Sequence, residues 1–202
     1  KSEILFYKFT EKSSFKIESK DSSNITIGFY LLYPINDDKT DKATSTQTTY
    51  DNVITISNQT DSFEFKSIKK ESGFYNVIIN YHDKQLILED LVLDNIDNLG
   101  WFLITINKNE IKLSYQNNPY KTHIIPNKLR INIEHIIFNE TPINNTRYLG
   151  RILVWNKSEL DKTNICENYY CGKYKCKFDL SKLKTDYNKC LDAKECNENQ
   201  NT

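Results

Sequence analysis

Trp101-Phe102-Leu103-Ile104-Thr105-Ile106 and Ile111-Lys112-Leu113-Ser114-Tyr115 are two apolar runs separated by Asn107-Lys108-Asn109-Glu110. Both runs are rich in the β-branched and aromatic residues that pack well on a pleated surface. The second alternates apolar and polar side chains, the period of a half-buried strand. The four residues between them are turn formers, so the stretch reads as a β-hairpin.

The same reading extends outward. Upstream, Ser14-Phe15-Lys16-Ile17-Glu18 alternates, and Ile25-Thr26-Ile27-Gly28-Phe29-Tyr30-Leu31-Leu32-Tyr33 is a longer run stopped by Pro34, as a central strand would be. Strand patterns recur at 53–56, 63–68, 75–81 and 86–88, with His82-Asp83-Lys84 as a polar turn between the runs 75–81 and 85–93. Residues 36–52 are polar, small and unpatterned, and predict a long surface loop. Downstream, Arg130-Ile131-Asn132-Ile133 and Gly150-Arg151-Ile152-Leu153-Val154-Trp155 are further strands. No 3.6-residue apolar period is sustained before residue 156. The pattern predicts an all-β, two-sheet antiparallel sandwich over 1–160, with no helix longer than about three turns.

A chain of 202 residues suits one such domain plus a short appendage. Lys+Arg and Asp+Glu both number 27, so no basic excess points to nucleic acid or to an anionic bilayer. No run approaches the roughly 18 apolar residues of a membrane span. Lys1 to Phe9 lack the features of a signal peptide, and Met is absent even at position 1. A processed fragment is the simplest account, so location is not read from the missing signal. Asn, Lys and Ile are abundant while Gly (5) and Pro (4) are scarce, a bias that suits an A/T-rich genome.

The order of segments resembles the laminin-G/pentraxin branch of the concanavalin A-like jelly rolls. Ile25-Thr26-Ile27-Gly28-Phe29 is similar to an early-strand signature of that family, Trp101 to Ile106 to its mid-domain hairpin, and Gly150 to Leu160 to its last strand. The segment Gly150 to Trp155 is about two residues shorter than the usual pattern, which leaves the register of that strand open. Immunoglobulin-like and galactose-binding-like sandwiches are the alternatives. The family's calcium ligands are rim Asp and Asn residues, but no matching pair can be assigned here. Two oxygen-rich loops, Asp94, Asp97 and Asn98 before Trp101 and Asp37, Asp38 and Asp41, could each supply some of the six to eight oxygens calcium needs. The expectation is no metal and no cofactor, with acidic loops that are simply solvated.

Residues 1–160 hold no cysteine and 161–202 hold five, Cys166, Cys171, Cys176, Cys190 and Cys196. The shift marks a domain boundary near Leu160 to Ile165. Gaps of four, four, thirteen and five residues lack paired zinc spacings, and the histidines lie elsewhere, so disulfides in an oxidising compartment are the reading. Cys171-Gly172-Lys173-Tyr174-Lys175-Cys176 resembles the second-to-third cysteine segment of an EGF-like module, truncated here and without that module's later C-x-C. A sixth cysteine lies beyond Thr202, or Cys196 is unpaired. The resemblance implies a first-to-third bond, Cys166–Cys176. Tyr169, Tyr170 and Tyr174 beside the cysteines are candidate partner-binding residues, taken to lie outside the sandwich.

Asn24, Asn58, Asn139, Asn144 and Asn156 head N-glycosylation sequons, although a chain rich in Asn produces several by chance. No nucleophile elbow, H-E-x-x-H, P-loop or dinucleotide turn occurs, and no E-x-D-x-x-E string of a jelly-roll glucanase. His82, His123 and His135 are isolated. The functional expectation is a non-enzymatic, extracellular adhesion module that binds a protein or glycan at a cell surface. By resemblance, apicomplexan (malaria parasite) surface and invasion proteins combine such modules. The alternatives are a structural subunit of a surface complex and a glycan hydrolase.

Overall fold

A computed structural model describes residues 3–9, 15–22, 24–33, 49–58, 61–124, 133–139, 147–172 and 175–179. The strands are β1 (Glu3–Phe9), β2 (Phe15–Ser22), β3 (Ile25–Leu32), β4 (Asp51–Ser57), β5 (Ser62–Lys69), β6 (Tyr75–Tyr81) and β7 (Lys84–Leu91). They continue as β8 (Gly100–Ile106), β9 (Glu110–Tyr115), β10 (Lys121–Ile124), β11 (Ile133–Phe138), β12 (Arg147–Trp155) and β13 (Lys175–Asp179). A short helix, α1 (Lys162–Ile165), runs into a π-helical turn at Cys166–Tyr170. One sheet has the order β10-β9-β8-β3-β12-β1-β13 and the other β2-β11-β4-β5-β6-β7. Every pairing is antiparallel except β1 with β13, which is parallel. The molecule is therefore the all-β, two-sheet jelly-roll sandwich that the alternating segments predict.

The continuous apolar run of β3 has a simple cause: both of its faces are covered. Ile25, Ile27, Phe29, Leu31 and Tyr33 point into the core between the sheets, against Phe63, Phe65, Val77 and Ile79. Tyr30 and Leu32 point the other way, into a second cluster with Ile4, Phe6, Trp101, Leu103, Leu153, Ile165, Cys166 and Tyr170. The second cluster is the outer face of the seven-stranded sheet, and the segment 161–171 lies across it. Asp161 caps α1, its carboxylate accepting from Thr163 N–H at 3.0 Å, which anchors the start of that cover.

Aromatic rings dominate the inter-sheet core. Phe29 meets Phe65 edge-on at 5.3 Å and Phe102 stacked at 5.5 Å, while Tyr33 stacks on Tyr75 at 4.6 Å. Pairs of this kind add about 0.5–1.5 kcal/mol each beyond the area they bury. Arg147, at the start of β12, is fully buried. Its Nη1 donates to the Asn52 carbonyl at 3.0 Å and its Nη2 stands 4.0 Å from the Asp51 carboxylate.

The register left open after Gly150 is set by a β-bulge. Gly150 pairs with Tyr30 but Leu153 pairs with Gly28, so β12 carries one extra residue, with Arg151 at φ 45°. The bulge switches the phase of the strand. Leu149 faces the inter-sheet core before it and Ile152 after it, leaving Leu153 on the outer face.

Three details differ from the sequence reading. The β6–β7 turn is His82-Asp83 alone, since Tyr81 pairs with Lys84, and His82 takes φ 50°. The predicted loop 36–52 ends early, because Asp51 and Asn52 already belong to β4, while 36–48 lie outside the described residues. The strand expected at 130–133 runs on to Phe138, as Ile133–Phe138, while 130–132 lie outside the described residues.

Candidate functional site

The disulfide that forms is Cys166–Cys171, with Cα atoms 4.9 Å apart, and not the Cys166–Cys176 bond implied by the EGF resemblance. The reason is local. In the π-helical turn the Cys171 N–H donates to the Cys166 carbonyl at 2.7 Å, which brings the two cysteines within bridging distance. Cys176 instead lies in β13, opposite Ile4 of β1. Cys190 and Cys196 lie outside the described residues.

This bond closes a loop that presses Tyr170 onto the sheet. Its ring stacks on Trp101 at 5.1 Å with 6° between planes and meets Tyr30 edge-on at 5.0 Å. Its hydroxyl donates to the Arg151 carbonyl at 2.8 Å, and the Tyr30 hydroxyl donates to the Tyr170 carbonyl at 2.5 Å. Burial pushes the Tyr170 phenol well above its ordinary pKa. Tyr170 is 3% exposed, so the expectation that it lies outside the sandwich is corrected: it is part of the outer cluster. Tyr169 is half-buried, edge-on to Trp155 at 5.9 Å. Tyr174 lies outside the described residues.

Beside the disulfide loop opens a groove of about 530 Å³. Its floor is Tyr30, Trp101 and Tyr170, over the central strands β3 and β8. Its walls come from the 92–99 loop (Ile96, Asp97, Asn98, Leu99), from Gln116 and Asn117 after β9, and from Cys171-Gly172. Asn95 organises the first wall through an Asx turn, its Oδ1 accepting from Asp97 N–H at 2.9 Å. Gln116 braces it: its Nε2 donates to the Leu99 carbonyl at 3.2 Å and its N–H to the Trp101 carbonyl at 2.8 Å, at φ 52°. Lys162 closes the far side of Trp101, its Nζ 5.8 Å from that ring and 5.0 Å from Tyr120. Burial lowers its pKa. Gln116-Asn117-Asn118-Pro119 is a turn-forming cluster, the one sequence signal that could have flagged this wall.

The groove sits towards one end of the sandwich. The 70–74 turn, the 92–99 loop and the turn after β9 all lie at that end, because β5, β7 and β9 run towards it. The exposed large apolar side chains among the described residues, Phe74, Val92 and Ile96, are all there, at 42%, 40% and 46% exposure. The opposite end holds Asn24, Asn58 and Asn156. Asn24 and Asn156 are exposed, Asn58 is half-buried, and the Ser158 hydroxyl reaches Asn24 Oδ1 at 3.4 Å. Asn139 does not fit the surface loop expected of a sequon, for it is 3% exposed at the end of β11. Asn144 lies outside the described residues, as do Asp37, Asp38 and Asp41.

Among the described residues no three His, Cys, Asp or Glu side chains are grouped to hold a metal ion, and Asp94, Asp97 and Asn98 are not drawn together with further acids. His82 pairs with Asp61 at 3.2 Å in the β6–β7 turn, His135 lies in β11 and His123 in β10.

These features define a two-sheet jelly-roll sandwich whose outer sheet face is partly covered by a disulfide-closed segment. No protein-family model matches the chain, and no curated protein sequence matches it. Among solved structures it is similar to domains LG4-5 of the mouse laminin alpha1 chain, at 10% identity over 76% of this chain and 41% of that one, TM-score 0.47. It is also similar to the binding domain of botulinum neurotoxin DC solved with rat synaptotagmin II, at 15% identity, 81% and 45% coverage and TM-score 0.46. Alginate lyase AlyC3 matches at 8% identity over 75% of this chain and 74% of that one, TM-score 0.52. The chain spans less than half the length of the laminin and neurotoxin structures. The likeness to the lyase is one of fold.

Proposed function

We propose that the chain is an extracellular recognition module that binds a protein or glycan at a cell surface through the end carrying the 70–74 turn and the 92–99 loop. The observation that carries this reading is that Phe74, Val92 and Ile96 all lie at one end of the sandwich, with Ile96 in the lining of the groove. Exposed apolar side chains grouped in this way mark docking sites, where buried anchors supply most of the binding energy. The five cysteines suit an oxidising compartment, and among the described residues no helix is long and apolar enough to cross a membrane. Residues 161–171 serve as a disulfide-closed cover of the seven-stranded sheet, and an adhesive role like that of apicomplexan surface proteins is the finer form of the reading. A polysaccharide-cleaving enzyme is the rival. It would need two acids about 5–9.5 Å apart across a cleft, and among the described residues Asp97 is the only carboxylate lining the groove.

The test is binding of the folded chain to intact cells, followed by flow cytometry, with Phe74→Ser/Val92→Ser compared against Asn109→Ala at the other end. The double variant should lose at least about tenfold in affinity, the loss of two modest anchors, and Asn109→Ala should bind as before. Equal binding by all three proteins would sink the reading.

A further inference from the structure

We propose that the groove over Trp101 and Tyr170 is a binding site for a neutral saccharide. The inference rests on the recognition role proposed above and names the ligand class of one part of that end. About 530 Å³ falls within the range of small-ligand sites, about 300–1,000 Å³. The lining decides the chemistry. Three carboxamides, Asn98, Gln116 and Asn117, converge on it from two loops. Each carboxamide presents a donor and an acceptor side by side, which matches a sugar hydroxyl, itself both donor and acceptor. Gln116 commits its amide nitrogen to the Leu99 carbonyl, which fixes the orientation of its carboxamide.

The charge pattern disfavours an anionic ligand. Among the described residues Asp97 is the only charged residue in the lining, and Lys162 is turned over the Trp101 and Tyr120 rings with its Nζ donating to the Asn118 carbonyl. An acidic sugar would meet the Asp97 carboxylate, which repels it.

The floor argues against a peptide. Tyr30, Trp101 and Tyr170 are only 2–3% exposed, so an apolar anchor gains little contact there. An extended peptide would also need a free sheet edge to pair with, and β3 and β8 are central strands paired on both sides. What the groove offers is hydrogen bonding from its walls, and this selects a hydroxyl-rich ligand.

The experiment is saturation-transfer NMR on the full 202-residue chain with lactose, cellobiose and 3′-sialyllactose as probes. A neutral disaccharide should show transfer at millimolar concentration and sialyllactose much less. Asn98→Ala and Asn117→Ala, both at exposed positions, should each weaken the neutral probe about tenfold, the loss of one good hydrogen bond. Asp97→Asn should bring sialyllactose up to the neutral probe. No transfer from either neutral disaccharide at tens of millimolar, transfer unchanged in both alanine variants, or equal transfer from sialyllactose in the unaltered chain would overturn the proposal. Displacement of a bound probe by peptides but not by saccharides would do so too. Phe74→Ser/Val92→Ser should leave saccharide binding intact. Cell binding without saccharide binding therefore fails the groove alone, and the converse fails only the cell-surface reading.

Discussion

Gly28 sits in the middle of β3, where an ideal Cβ would collide with the Tyr170 hydroxyl and lie 3.1 Å from Leu103 Cδ2 and Tyr170 Cζ. Gly28→Ala therefore forces Tyr170 to move. The displaced ring loses its hydrogen bond to the Arg151 carbonyl, about 1–2 kcal/mol for a buried bond left half-made. It also tilts away from Trp101, about 0.5–1.5 kcal/mol of ring stacking. Alanine in a strand regains about 0.5–1 kcal/mol over glycine, so the net cost is about 0.5–3 kcal/mol. The decisive comparison is a double-mutant cycle with Tyr170→Phe, which removes the atom that collides. By itself Tyr170→Phe should cost about 1–2 kcal/mol through the lost hydroxyl. In that background Gly28→Ala should cost about 1 kcal/mol less than in the parent, a coupling above the additivity error of about 0.5 kcal/mol. Urea unfolding followed by tryptophan fluorescence reads both terms. Additive costs, or a harmless Gly28→Ala in the parent, would show that Tyr170 is not seated in the hole that Gly28 leaves.

Trypsin digestion without reduction should release residues 163–173 as one peptide two mass units lighter than its reduced form, whereas a Cys166–Cys176 bond would join it to a second peptide. Reduction should cost about 2 kcal/mol for so short a loop and alter near-ultraviolet dichroism while the far-ultraviolet β signal persists. Arg147→Met should cost less than Asp51→Asn in thermal unfolding, because replacing a buried cation is cheaper than leaving it with a weakened partner, and the reverse order would refute this. Burial raises the phenols of Tyr33, Tyr75, Tyr81, Tyr115, Tyr120 and Tyr170. Their contribution is complete below the unfolded value of about 10 and is lost as pH rises through the folded values, about 1.4 kcal/mol per unit for each one ionised only when unfolded. Lys162, lowered by burial, acts weakly in the opposite sense. Circular dichroism and tyrosinate absorbance should therefore change together in alkali, and early full ionisation of a folded chain would contradict the burial. Secreted from a glycosylating eukaryotic host, the protein should carry glycans at Asn24, Asn58 or Asn156 and none at Asn139, as read by mass spectrometry after enzymatic deglycosylation.

The strands that were legible are those whose residues make the period obvious or the apolar run unbroken. β3, β5, β6, β8 and β9 fall close to their sequence segments because Ile, Phe, Val and Tyr dominate them. β1 was not legible. In Glu3–Phe9, Ile4 and Phe6 face the outer cluster while Phe9 faces the inter-sheet core, so the segment shows neither clean alternation nor a continuous run. β10 has four residues and β13 five, too few to show a period. Tyr170 was misread because a tyrosine next to a cysteine in a polar tail reads as exposed, and nothing nearby in sequence announces the Gly28 hole that receives it, 142 positions upstream.

The same long-range contact explains why the site was invisible while the fold was not. A sandwich is specified by local alternation, repeated strand after strand, and each repeat is evidence by itself. The groove is specified by three segments far apart in the chain, 96–99, 116–117 and 170–172: Gln116 ties the second to the first, and the third joins them because the disulfide loop lies across β3 and β8. Carboxamides that would line such a site have the same composition as ordinary turns, so Asn98 and Asn117 carry no signal of their own. Trp101 is the link between the two levels. It opens the hairpin that decides the fold, and its outward-facing ring stacks on Tyr170, with Lys162 near it. The residue that announced the sheet is thus the one on which the site is built. Its second role depended on a cover that the sequence had assigned to a separate module.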